Sequence, residues 1–168
     1  MVNEKRVDLK QIVQVCTVVK DIQKAVEHYW EFGIGPWSIY TWKPPELTNT
    51  TFHGRPAKYS MRLALAMIGN VMWELIEPLE GPSTYKEFLE KKGEGLHHVL
   101  LAVDNFDETV ATLGKKGVGI LMKGDYKGLT YAYLDTEKEL GTVVEIFKPL
   151  DWVPPEPEAT YPPSASGT

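Results

Sequence analysis

The sequence predicts an α+β protein made of two tandem copies of one strand–helix–strands unit, and three observations predict it. When the chain is slid along itself so that His98 falls on Gln14, Val103 falls on Val19, Asn105 on Asp21, Phe106 on Ile22 and Val110 on Val26. The same alignment lays Gly117-Val118-Gly119 over Gly33-Ile34-Gly35, so the register survives the helix that follows. Further on, Trp73-Glu74-Leu75-Ile76-Glu77-Pro78-Leu79 matches Val144-Glu145-Ile146-Phe147-Lys148-Pro149-Leu150 after a shift of offset that unequal loops explain. Two copies of about 70 to 80 residues are too few and too long for a solenoid.

Each element has its own warrant. Residues 8–19 alternate, with Val13, Val15, Thr17 and Val19 on one face and Gln14, Cys16 and Val18 on the other, the period of a strand. Asp21 is placed to cap a helix whose Ile22, Ala25, Val26, Tyr29 and Trp30 recur at helical spacing, and Gly33 ends it. An aromatic strand spans Trp37 to Trp42. Residues 44–57 read as the longest internal loop, either a lid over a pocket or a surface excursion. Strands over 58–68 and 71–77 follow, joined at Gly69-Asn70. Ser83 caps a linking helix that ends at Gly93 or Gly95. The second unit repeats the plan: a strand at 96–103, a helix at 105–116, and strands near 119–123, 129–135 and 142–148. The chain thus divides into a first module (1–80), a linking helix (81–95), a second module (96–150) and a Pro-rich flexible tail (151–168) that could drape over a neighbouring subunit.

Composition narrows the function classes. With 43% hydrophobic and 24% charged residues in 168, the chain suits one compact domain or two small modules sharing a core. A net charge of −5 argues against a general nucleic-acid binder. No apolar run approaches the roughly 18 residues of a membrane span, and the charged start Met1-Val2-Asn3-Glu4-Lys5-Arg6 lacks the apolar stretch of a signal peptide. A single cysteine, Cys16, fits a reducing compartment, so a cytoplasmic protein is expected.

The polar residues at matched places in the two copies are Gln14 with His98 and Glu74 with Glu145. All four interrupt apolar strand-like runs, where an unpartnered imidazole or carboxylate is costly to bury. A pseudo-twofold relation between the modules would bring them towards one point, and a shared cation would resolve the cost for all four. One imidazole nitrogen, two carboxylates and an amide oxygen suit a single divalent ion (Zn, Co, Ni, Mn, Fe or Mg), with positions left open for a substrate.

The repeat, the Lys20-Asp21-Ile22 turn, the His97-His98-Val99 start of the second module and the Glu74-Leu75-Ile76-Glu77-Pro78 run together resemble the vicinal oxygen chelate superfamily, over about residues 8–150. That superfamily includes glyoxalase I, methylmalonyl-CoA epimerase and the extradiol dioxygenases. The resemblance implies two βαβββ modules curled into a cup-shaped mixed sheet around a divalent metal, with Gln14, Glu74, His98 and Glu145 as ligands. Glutathione-using lyases of the superfamily carry an arginine four residues after the first ligand and another four before the third; these are Val18 and Glu94 here. The dioxygenase branch needs two His and one carboxylate, which this set does not supply. What the resemblance implies is a metal-dependent isomerase or epimerase that moves a proton next to a carbonyl through a stabilised enolate. Glu145 would be the base and Glu74 its opposite-face partner, acting on a small carbonyl or acyl substrate, in a homodimer. The alternatives are a glyoxalase-type lyase on a non-glutathione substrate and a non-catalytic protein that sequesters a ligand in the cup.

Other polar residues were assigned by parity along their strands. Cys16 shares the face of Gln14 and either lines the cup or fills the core. Arg62, among Ser60, Ala64 and Ala66, either meets a substrate anion or forms an internal ion pair. Tyr131 and Tyr133 are candidates to donate hydrogen bonds into the cup. His97, alternating with His98, is expected to point the other way, into packing or solvent.

Overall fold

The computed structural model describes residue 7 and residues 9–163, so the charged start at 1–6 and the last residues of the tail, 164–168, lie outside the described residues. Valine alternation makes β1 (Leu9–Val18) a strand. Asp21 then accepts a hydrogen bond from the Lys24 amide at 3.1 Å and starts α1 (Ile22–Glu31). Asn105 does the same for the Glu108 amide at 3.0 Å and starts α3 (Phe106–Lys115), so the duplicated caps occupy equivalent places. Between and after them run β2 (Trp37–Trp42), β3 (Leu47–Phe52), β4 (Arg55–Pro56), β5 (Met61–Ile68), β6 (Val71–Pro78), α2 (Thr84–Lys92), β7 (Gly95–Val103), β8 (Ile120–Tyr126), β9 (Leu129–Leu134), the short α4 (Glu137–Leu140), β10 (Val143–Lys148) and β11 (Ala159–Tyr161). No helix among the described residues is long and apolar enough to cross a membrane.

The eleven strands of the described residues form one mixed sheet in the order β11-β2-β5-β6-β1-β7-β10-β9-β8-β3-β4. Its centre is a pair of βαβββ halves, β2-β5-β6-β1 and β8-β9-β10-β7, joined where β1 and β7 run antiparallel. Within each half the first strand pairs parallel with the last, β1 with β6 and β7 with β10. One face of each half is covered by its own helix. Ile22 and Val26 of α1 pack on Ala64, Ala66 and Leu75, while Phe106 of α3 packs on Ala132, Val144 and Ile146. The other face carries a third apolar cluster rich in tyrosine, with Tyr85 and Phe88 of α2 set into it.

Two segments depart from the expected plan. Residues 44–57 are not a free loop: β3 and β4 form a hairpin, and β3 pairs with β8 of the second module. Its turn residues, His53 and Gly54, both have positive φ (47° and 75°), as a two-residue hairpin requires, but His-Gly lacks the usual asparagine or aspartate signal. Residues 151–163 of the expected tail pack on the rest of the chain. Trp152 stands edge-on to Trp42 with ring centroids 6.1 Å apart, and its indole N–H donates to the Lys127 carbonyl at 3.0 Å. The Glu158 carboxylate accepts from both the amide and the hydroxyl of Thr41, and β11 pairs with β2. Proline content suggested disorder, yet proline is compatible with an edge strand, and two aromatic side chains supply the burial.

Candidate metal and proton-transfer site

The four central strands each contribute one of the matched polar residues: Glu74 from β6, Gln14 from β1, His98 from β7 and Glu145 from β10. Register explains the convergence. Cys16 stands directly opposite both Glu74 and His98, and Glu145 stands opposite Leu100, which shares the face of His98. The Gln14 amide nitrogen donates to Glu74 Oε2 at 2.5 Å. His98 Nε2 lies 3.4 Å from Glu74 Oε2 and 3.0 Å from Glu145 Oε2. All four side chains are buried.

His98 Nε2 and Glu145 Oε2 are both fully buried, and neither makes a hydrogen bond of acceptable geometry. They stand 3.0 Å apart as an ion pair, so what they lack is hydrogen-bond alignment rather than opposite charge, and a cation between the carboxylates could take the place of the imidazole's proton. The donor set of one imidazole, two carboxylates and one amide is that of a divalent-ion site. Gln14 fits this as well, since its amide oxygen is free of the Glu74 contact and can turn inward. The residues present therefore fit a divalent ion.

Electrostatics agree with a site waiting for positive charge. Burial would depress the His98 imidazole, but the Glu145 and Glu74 carboxylates outweigh it and lift its pKa to about 9. Burial raises the Glu145 carboxyl above the usual range, against the pull of His98 and of a hydrogen bond from Tyr133. Tyr133 is in turn tied to Tyr85 at 2.7 Å between hydroxyl oxygens.

A cavity of ≈ 150 Å³ opens onto Gln14, Glu74 and Glu145. Its walls are apolar: Val13, Met61, Leu63, Leu65, Met72, Ile76, Leu100, Leu129 and Phe147, with Trp42 and the tail residues Leu150, Trp152 and Pro154 at the rim. Among the described residues, none that lines it is Lys or Arg.

The candidate substrate residues fare differently. Tyr133 lines this cavity, as does Tyr85, which sequence reading missed because a lone tyrosine on an amphipathic helix carries no signal. Cys16 is fully buried, and its sulfur lies with ligand atoms of Glu74 and His98 in a group whose members all fall within 4.8 Å of one another; burial, then the charge and hydrogen bond of Glu74, hold the thiol well above its usual pKa. Tyr131 belongs to a neighbouring pair instead: its hydroxyl meets that of Tyr59 at 2.8 Å, and Tyr59 donates to the Lys123 carbonyl. Arg62 does not line this cavity: Met61, Leu63 and Leu65 of β5 do, so alternation sets Arg62 on the other face of the strand with Ala64 and Ala66.

Comparison with known proteins agrees with this architecture. A family model described as Glyoxalase/Bleomycin resistance protein/Dioxygenase superfamily matches residues 13–133. The uncharacterized protein YqjC of Bacillus subtilis is 32% identical over 92 residues, which cover 53% of this chain and 66% of that protein. The mitochondrial methylmalonyl-CoA epimerase of Mus musculus is 29% identical over 111 residues, covering 66% of this chain and 55% of the mouse protein. The chain thus matches between about half and two thirds of the length of these curated relatives. Among solved structures, a methylmalonyl-CoA epimerase of Streptomyces coelicolor in complex with 2-nitronate-propionyl-CoA superposes with TM-score 0.62 at 23% identity, covering 88% of this chain and 100% of the other. A hypothetical protein of Bacillus halodurans C-125 gives TM-score 0.62 at 19% identity, covering 86% and 98%.

Proposed function

We infer the function from one premise: this chain belongs to the Glyoxalase/Bleomycin resistance protein/Dioxygenase superfamily. On that footing it is an isomerase of the epimerase type, moving a proton on the carbon next to a carbonyl in a small acyl substrate. Gln14, Glu74, His98 and Glu145 would hold a divalent ion, which supplies positive charge beside the oxygen that turns negative when the proton leaves. The observation that carries this reading is the convergence of Glu74 Oε2 and Glu145 Oε2 on His98 Nε2, at 3.4 and 3.0 Å, where both carboxylate residues line the cavity.

Glu145 is the proton acceptor. Its burial raises its pKa above the usual carboxylate range, the direction that makes a carboxylate a stronger base, and the Tyr133 hydroxyl holds it in place. Glu74, held by the Gln14 amide and the Cys16 thiol, is the partner on the other side of the cavity floor. The apolar walls keep water from the carbanion. A cavity of ≈ 150 Å³ matches a benzene-sized group, so a short acyl segment enters while any larger carrier stays outside. Methylmalonyl-CoA, the substrate named for the mouse relative, has such a segment. A lining without Lys or Arg offers nothing to the two carboxylates of glutathione, which disfavours the lyase alternative.

The test is hydrogen exchange at the α-carbon. In D₂O, metal-loaded protein should wash deuterium into methylmalonyl-CoA or another short α-branched acyl thioester, followed by proton NMR. Glu145→Gln should slow that exchange by about 10²–10⁴-fold while keeping the metal by elemental analysis. Exchange at an undiminished rate in the variant would remove Glu145 from the role. Saturable binding without exchange of any offered thioester would favour a sequestering protein.

A further inference from the structure

We propose that His97 is a positioning residue that selects which nitrogen His98 turns to the centre. The proposal rests on the reading of His98 as a metal ligand. Strict alternation would send the two imidazoles to opposite faces of β7, and the structure shows why it does not. Cys16 of β1 pairs with His98, but Thr17 pairs with Leu96, so His97 is an extra residue with no counterpart across the ladder. Such a bulge re-aims side chains. Here it brings His97 Nδ1 to 2.9 Å from His98 Nδ1, with the rings nearly perpendicular at 86°.

Two facing ring nitrogens at that distance share one hydrogen, so one donates and the other accepts. The far side of His97 decides which. Its ring makes a hydrogen bond to the Thr84 backbone that favours the protonated imidazole, so the backbone oxygen accepts; with Nδ1 turned to His98, Nε2 is the nitrogen left to donate. His97 Nδ1 is then the acceptor, and His98 Nδ1 carries the hydrogen. That leaves the lone pair of neutral His98 on Nε2, the atom that faces Glu74 and Glu145. A ligating histidine whose other nitrogen is held this way is fixed in both tautomer and ring orientation. His97 is itself walled in by the rings of Tyr85, Phe88 and Tyr133, with centroids 5.5, 5.1 and 6.1 Å away, so it cannot swing clear. Thr84 opens α2, which gives the linking helix a role: it anchors the relay from Thr84 through His97 to His98.

The test compares wild type with His97→Asn, whose side-chain oxygen can stand in for Nδ1 as acceptor, and His97→Phe, which keeps the ring but no acceptor. Affinity for Co²⁺ and Zn²⁺ is read by chelator competition, and the hydrogen on His98 Nδ1 by long-range ¹H–¹⁵N NMR. His97→Phe should weaken metal binding about 10- to 100-fold, and His97→Asn should recover most of the loss. Wild-type His98, read with Zn²⁺ bound or, without metal, above the pH near 9 where its ring becomes neutral, should carry hydrogen on Nδ1 and none on Nε2. Undiminished affinity in His97→Phe, or a bare Nδ1 on wild-type His98, overturns the proposal. If wild type binds neither ion, the metal reading itself fails, and the NMR result still decides whether His97 sets the tautomer.

Discussion

Metal removal offers the most direct check on the site. His98 Nε2 and Glu145 Oε2 face each other at 3.0 Å without a well-aligned hydrogen bond, so in the metal-free fold this pair is held by charge. An ion that binds the native state alone, present at a hundred times its dissociation constant, adds about 2.7 kcal/mol. For a domain of this length that is a rise in Tm of about 5–11 °C. The assay is thermal unfolding followed by circular dichroism, on protein stripped by chelator dialysis and then given Zn, Co, Ni, Mn, Fe(II) or Mg in turn. At least one ion should produce the shift, and His98→Ala should abolish it while the exposed carboxylates remain to bind metal weakly. A variant that responds as wild type does, or a wild type that responds to none of the six, refutes the reasoning that these side chains form one cation site.

Three further outcomes follow from the packing. A Cβ at Gly124 would lie 2.7 Å from the Tyr131 hydroxyl oxygen and 3.0 Å from that of Tyr59, so Gly124→Ala should cost about 1–3 kcal/mol in urea unfolding, and Tyr131→Phe in the same protein should relieve part of it. Trp152→Ala removes an aromatic pair worth about 0.5–1.5 kcal/mol and a hydrogen bond of about 1 kcal/mol, and should also weaken binding of acyl ligands, since Trp152 forms part of the cavity rim. Arg62→Ala should leave exchange kinetics within about twofold of wild type, because that side chain lies on the α1 face, and a larger loss would place it back in the cavity.

Much of this arrangement could be read from the chain because duplication couples distant positions. Gln14 and His98 occupy the same step of the first strand of each copy, and Glu74 and Glu145 the same step of the last. Each first strand pairs parallel with its own last strand, so a twofold relation leaves the four little freedom but to meet. What escaped reading is where periodicity stops being informative. One extra residue at His97 reverses its face, and nothing in Gly95-Leu96-His97-His98-Val99 marks the bulge. The strand β3, Leu47-Thr48-Asn49-Thr50-Thr51-Phe52, is too polar to look like one, since it takes its order from β8, a partner far along the chain. Parity put Arg62 correctly among small residues, but parity alone cannot say which face of a sheet holds the cup.

Those two unforeseen strands also explain how a single chain completes the site. Each half leaves an outer edge, β2 in the first and β8 in the second, and a bare edge invites pairing with another chain. Here each edge is covered by a strand that leaves the opposite half: β3, emerging after β2, crosses to β8, and β11, emerging after β10, crosses back to β2. The exchange ties the modules together, and on the returning segment Trp152 packs against Trp42 where both line the cavity. The new outermost strands are short and end in proline, Pro56 in β4 and Pro162 after β11, which blunts them as templates. All four candidate ligands therefore reach the centre from one polypeptide. A second copy, where one binds, is not needed to build the floor of the cup.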